Sequence, residues 1–178
     1  MFIKMIDDIL TFWFKILTSA DWYRKSDQLD AQITSQFEAT YFQVVAGEKS
    51  HWRATAEGRL AEIIVLDQFA RNMFRGLPLS FAADCLALAL AQEAVRVGAD
   101  LELEEIQRPF IYMPYMHSES QVVHEEAMKL FATTPNIGFE ERHKAIIDQF
   151  GRYPHRNDCL GRECTPEELE WMKTNQGF

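Results

Sequence analysis

Apolar residues recur along this chain at the three- and four-residue steps of a helix. Ile6, Ile9, Leu10, Trp13 and Leu17 fall at i, i+3, i+4, i+7 and i+11, one broad apolar face. Ser19, Asp21 and Trp22 interrupt it. Ile33, Phe37, Tyr41, Val44 and Val45 form a second stripe, with Gly47 as its stop signal. After a connection around His51 and Trp52 comes Leu60–Arg75, LAEIIVLDQFARNMFR, which is apolar almost all round and runs out at Gly76 and Pro78. An alanine-rich helix is predicted from Phe81 to Val97, before Gly98. Leu101–Gln107 fits either a short helix or a loop. Arg108–Met116, RPFIYMPYM, carries two prolines, which argues against a long regular element. Ser118 and Gln121 read as a capping box opening a helix with Val123, Ala127, Leu130 and Phe131 on one face. A helix over Glu140–Phe150 stops at Gly151, and Arg152–Arg162 is irregular. Thr165 then caps a last helix, with Pro166 at its first position and Glu167 and Glu168 in its first turn. No strand-like alternation appears. The prediction is one all-α domain over residues 1–178, of about seven to nine stacked antiparallel helices in hairpins or an irregular bundle.

The central stretch contains an anomaly. At about 100° per residue, Leu60, Asp67 and Arg71 project within roughly 20° of one direction. A charge in a core-facing stripe is costly unless it is paired or used. What Asp67 and Arg71 face is therefore the main question that the pattern raises.

Charge narrows the partners. A net charge of −9 argues against nucleic acid or an anionic membrane, both of which reward lysine and arginine. It leaves room for a local basic pocket. Cys85, Cys159 and Cys164 are odd in number and lack CxxC spacing, as expected of reduced thiols in a cytoplasmic protein. Near the N-terminus Asp7 and Asp8 stand where a signal peptide wants positive charge, and no run approaches a membrane span. The expected protein is soluble and unexported, and nothing in the pattern fixes its oligomeric state.

Polar residues gather in three segments that otherwise read as structural. They are Asp67, Gln68, Arg71, Asn72 and Arg75; Arg108, Tyr112, His117, Ser118 and Glu119; and Arg152, His155, Arg156, Asn157 and Arg162. Six of the eleven arginines lie there. A guanidinium presents a planar fork matched to carboxylate or phosphate. Two readings stand side by side. In one, Asp67 pairs with Arg71 at i, i+4, and the other forks tie down loops and helix ends. In the other, arginines outnumber nearby carboxylates because a bound anion completes them. Asp67, Gln68 and Asn72 then form a structural network. Arg71, Arg75, Arg108, Tyr112, Glu119, Arg152, Arg156 and Asn157 are the ligand-binding candidates, and His117 and His155 the candidate general acids or bases.

Named catalytic motifs are missing. Ser118 lies in no G-x-S-x-G elbow, and the H-E of His124 and Glu125 is not followed by the second histidine of a zincin. There is no P-loop and no dinucleotide-binding fingerprint. No metal and no cofactor is expected. His143 is open between a core histidine, a ligand contact and an exposed side chain.

Several of these stretches together are distinctive. FWF at Phe12–Phe14, LDQFARN at Leu66–Asn72, HSE at His117–Glu119, FGRYPHRN at Phe150–Asn157 and LGRECTPEE at Leu160–Glu168 resemble the bacterial family of unknown function DUF924. The resemblance runs nearly end to end. It implies an all-α fold similar to a right-handed tetratricopeptide-repeat superhelix, and no activity or catalytic residue comes with it. Cys164 replaces the expected serine before Thr165, and Cys159 the expected aliphatic residue before Leu160. Both are expected to be small buried substitutions. Leu29 stands for a usual phenylalanine, a packing change.

Two functions are therefore expected. One is a site for a small anionic molecule, with histidine as general acid or base. The other is a non-catalytic module that docks a peptide or partner helix in a groove between helix pairs. An enclosed pocket lined by Arg and His favours the first; an open apolar groove favours the second.

Overall fold

The structure is a computed structural model, and it describes residues 2–175. It is all-α, with eight helices of seven or more residues and no strand among the described residues. Helix α1 is Phe2–Thr11, followed by a short α2, Ser19–Trp22, and a long α3, Asp27–Val45. Next come α4, Ala56–Ile64, and α5, Ala70–Met73. Helices α6, Asp84–Arg96, and α7, Arg108–Met116, complete the first half of the fold. The rest is α8, Gln121–Phe131, α9, Ile137–Phe150, and α10, Pro166–Met172.

Helices α4 and α5 form one rod, joined by a π segment at Val65–Phe69. Every residue from Leu60 to Ala70 is buried, as expected of a helix that is apolar all round. The rod packs against α1, α3, α6 and α7, so it is the centre of the core. A π turn takes more residues than an α turn and is frequent at functional sites. Here it spans Asp67 and Gln68.

The rod is seated at its start by a close approach. A Cβ on Gly58 would lie 2.0 Å from the Trp52 carbonyl oxygen. Alanine normally stabilises a helix interior over glycine by up to about 1 kcal/mol. At Gly58 that order should reverse. Gly58→Ala is expected to cost about 1–3 kcal/mol, as overpacking does, read as a lower denaturant midpoint with unchanged slope. A gain in stability would show that the Trp52 turn yields freely.

Helix α6 is held close by Ala87, Ala91 and Ala94, all 0% exposed. With its preceding turn it has the length and apolarity of a membrane span. Its alanines are nonetheless packed in the core, against α4 and α7.

Four local expectations change. Arg108–Met116 is a helix despite its prolines. Pro109 sits in the first turn, where no hydrogen bond is forfeited, and an interior proline such as Pro114 costs about 3 kcal/mol. Burying Phe110, Ile111, Met113 and Met116 returns about 1.5–3 kcal/mol each, which outweighs that loss. The residue before α8 is Ser120, not Ser118, and its side chain makes no cap. Helix α6 starts at Asp84 rather than Phe81, because Pro78–Ser80 and the residues after it form tight turns. Cys159 and Cys164 are partly exposed rather than buried, since they lie in the loop before α10. The Thr165 capping box forms as predicted.

Helix α9 ends at Gly151, in the left-handed conformation at φ +69°. The turn sends the chain into Tyr153–Arg156, which packs back towards the central rod.

Candidate functional site

Where these elements meet they leave a cavity of about 420 Å³, within the ordinary range for a small-molecule site. The rod contributes Gln68, Arg71, Asn72 and Arg75, and α7 with its last turn Met113, Met116 and His117. Helix α9 adds Phe139 and His143, and the turn after Gly151 adds Tyr153, His155 and Arg156. The α2–α3 connection closes one side with Trp22, Tyr23, Arg24 and Lys25. In a chain of net charge −9, the charged residues on this wall are Arg24, Lys25, Arg71, Arg75 and Arg156, and none is an aspartate or glutamate.

The carboxylates stand behind the wall. Asp67 is 1% exposed. Its Oδ1 lies 2.7 Å from His117 Nδ1 and 3.0 Å from Arg71 Nη1, and Gln68 Nε2 donates to its other oxygen. Burial alone would push the Asp67 carboxyl up, but the Arg71 guanidinium and His117 hold it far below the usual carboxylate range. Asp67 is therefore ionised and accepts from His117. That places the His117 proton on Nδ1 and leaves a lone pair on Nε2. For His117, burial outweighs the attraction of Asp67, and its pKa lies below the ordinary value.

Arg71 is committed to the protein. Its Nη1 donates to the Asp67 carbonyl at 2.6 Å and to Asp84 Oδ1 at 3.1 Å, and its Nη2 donates to Asp84 Oδ2 at 3.0 Å. Arg156 is not. It is 6% exposed, its ion pair to Asp84 is long at 3.4 Å, and its Nε is buried without a hydrogen-bond partner. Its guanidinium lies 4.4 Å from the Tyr153 ring centre and 4.7 Å from that of Phe81, a stacking geometry that suits Arg. Burial, and then the neighbouring Arg71 charge, pull its pKa down. Two guanidiniums thus share Asp84, and the second lacks a close acceptor.

Two further imidazoles join His117. His143 donates from Nδ1 to the Phe139 carbonyl at 2.8 Å and is pushed down to about 3 by burial and by His117. His155 packs on Tyr153 and is pushed down to about 4 by burial and by Arg156. Both are neutral at neutral pH. Tyr153 is fully buried and donates from its hydroxyl to the Met116 carbonyl at 2.5 Å.

The structure brings Gln68, Arg71, Asn72, Arg75, His117, His155 and Arg156 to the cavity wall, with Asp67 directly behind it. Arg75 and Asn72 both bond Asp30, so Arg75 anchors the rim to α3. The other five candidates lie elsewhere. Arg108 donates to the carbonyls of Asp100 and Leu103, and Tyr112 to the Asp100 carboxylate at 2.6 Å. Glu119 accepts from Arg162 and from the Tyr153 amide. Arg152 pairs with Glu168, which also accepts from Asn157. The Arg108 and Tyr112 contacts tie α7 to the turn before it, and those of Glu119, Arg152 and Asn157 hold the turn that carries Arg156. Asp84, Phe81, Trp22, Tyr23 and Phe139 were not singled out from the sequence. Among the described residues, no group of three or more His, Cys, Asp and Glu is placed to hold a metal ion.

Comparison with known proteins places the whole chain. The family model described as "Bacterial protein of unknown function (DUF924)" matches residues 9–176. The chain is similar to the solved structure of a protein of unknown function, ATU0120 from Agrobacterium tumefaciens. The two are 35% identical, with a TM-score of 0.91, over 98% of this chain and 99% of that one. No curated protein matches.

Proposed function

The chain belongs to the bacterial protein family of unknown function DUF924, and we propose from its cavity that it binds a small anionic molecule there, with His117 as general acid or base. The observation that carries this reading is the wall itself, with five basic residues, no acidic ones, and a buried Arg156 whose fork is incompletely matched. A buried cation without full compensation is costly, and an anion in the cavity would supply what is missing.

The His117 arrangement supports proton transfer. Asp67 fixes the ring orientation and stabilises an imidazolium, so Nε2 can take a proton from a ligand or from a water and return it. Arg156 would stabilise negative charge developing beside it. His155 is a second imidazole on the same wall. A covalent route has less support, because the wall carries no cysteine and the Ser80 hydroxyl is buried, donating to the Leu77 carbonyl at 2.7 Å.

Calorimetric titration with inorganic phosphate and short carboxylates tests the reading. Wild type should bind, and Arg156→Gln should bind at least ~10-fold more weakly, as expected for losing a charge-assisted contact of about 1.5–3 kcal/mol. Equal binding by both proteins would remove Arg156 from the site. Capture of a stable peptide or protein partner over this face, with no anion bound, would favour the docking module instead.

A further inference from the structure

We propose that the ligand is a monocarboxylate carried on a flat apolar body, an aryl or arylalkyl carboxylic acid. The inference rests on the anion-site reading above and specifies its substrate class.

The charge balance selects a single negative charge. At the inner end Arg71 gives both arms of its fork to Asp84, at 3.1 and 3.0 Å. Arg156 keeps only the 3.4 Å contact and a partnerless Nε. The imidazoles beside it carry no charge near neutral pH, with His143 pushed down to about 3 and His155 to about 4. Arg71 and Arg156 face Asp67 and Asp84, two charges against two, so what Arg156 lacks is a close acceptor rather than a counter-charge, and a two-oxygen monoanion supplies one with the least added charge. A phosphate dianion would bring a second charge that no inner-end cation balances. At the rim Arg24 pairs with Asp21 and Arg75 with Asp30, and Lys25, exposed to solvent, acts on the same Asp30.

The rest of the wall selects an apolar body. Its apolar members are Trp22, Phe81, Met113, Met116 and Phe139. Its exposed aromatic part is a stacked pair, Tyr23 on Phe139, with ring centres 5.7 Å apart and planes 19° from parallel. These two side chains are 53% and 39% exposed. The Phe139 ring is engaged by Tyr23 and by the Arg142 guanidinium, 4.6 Å from its centre, so the exposed Tyr23 ring, with methionines deeper in, offers the surface for another ring. A small inorganic anion would reach Arg156 and leave that surface bare.

The test is calorimetry at pH 7.5 with 3-phenylpropionate, acetate, 3-phenylpropanol, phenyl phosphate and inorganic phosphate. The expected result is that 3-phenylpropionate binds at least ~10-fold more tightly than each of the others, a preference of about 1.4 kcal/mol. Arg156→Lys should weaken 3-phenylpropionate ~10-fold or more, because an ammonium cannot reproduce a stacked fork. Phe139→Ala, at a partly exposed position, should weaken 3-phenylpropionate several-fold and leave acetate unchanged. Acetate or 3-phenylpropanol binding as tightly as 3-phenylpropionate would overturn the proposal, as would phenyl phosphate binding more tightly or an unchanged Phe139→Ala. Phosphate binding that depends on Arg156, without any preference for the aryl carboxylate, would leave the anion site standing and remove this ligand class. No binding by any of the five would remove both.

Discussion

Arg71→Ala should unfold at a much lower denaturant concentration than wild type, with a stability loss of about 3–5 kcal/mol. Arg71 is a partner to Asp67, which is 1% exposed, and it bridges that residue to Asp84 on α6. Removing it leaves the Asp67 carboxylate buried with only His117 and Gln68 as partners. Leaving one member of a buried pair uncompensated is among the most damaging single changes. A second readout separates this from simple loss of packing. Without the Arg71 charge, which helps to hold His117 neutral, the His117 pKa should rise in an NMR titration. A loss below about 1 kcal/mol, with His117 unmoved, would mean that Arg71 belongs to the ligand rather than to the scaffold.

Stability should fall with acidification from about pH 6.5, well before carboxylates titrate. His143 and His155 have native pKa values pushed down to about 3 and about 4, against an unfolded value of about 6.5. Above pH 6.5 both are neutral in both states and contribute their full stabilisation. Below it the unfolded chain binds protons that the native state refuses, so stability falls with pH. His143, 6% exposed, accounts for ~1.4 kcal/mol per pH unit down to about pH 3. His155 is more exposed and accounts for a smaller part, ending near pH 4. Glu168, held near 2 chiefly by Arg152, adds its own loss as pH falls from the ordinary glutamate value towards 2. Urea unfolding at pH 7, 6, 5 and 4 gives the slope, and His143→Gln should flatten it. A denaturation midpoint that stays level down to pH 4.5 would contradict this.

Much of this was readable in the sequence where neighbours in space are neighbours in the chain. Helical spacing put Asp67 and Arg71 on one stripe, and they are one ion pair. The stop at Gly151 and the Thr165 cap are local signals, and both hold. What was not legible depends on distance along the chain. Asp30 serves Arg75 from 45 residues away, and Asp84 serves Arg156 from 72. Counting arginines against nearby carboxylates therefore overstated the free forks, because Glu168, Asp30 and Asp84 answer Arg152, Arg75 and Arg71 from other elements. The real excess shrinks to Arg156. The aromatic wall escaped notice for a different reason. Trp22, Phe81 and Phe139 have the composition of core, and only the fold shows that their faces border a cavity.

The π segment at Val65–Phe69 fixes the length of the chain there. Deleting any one of its five residues would let the rod relax to a regular α-helix. The wide turn is what absorbs the additional residue, so Ala56–Ile64 and Ala70–Met73 would keep their relative phase, and Leu60 and Arg71 their faces. The change would fall on the segment itself, where Asp67 and Gln68 could no longer both hold their places beside His117 and Arg71. The spare residue thus serves the buried polar network rather than the core, and homologous chains that dispense with that network should show their gap in this stretch.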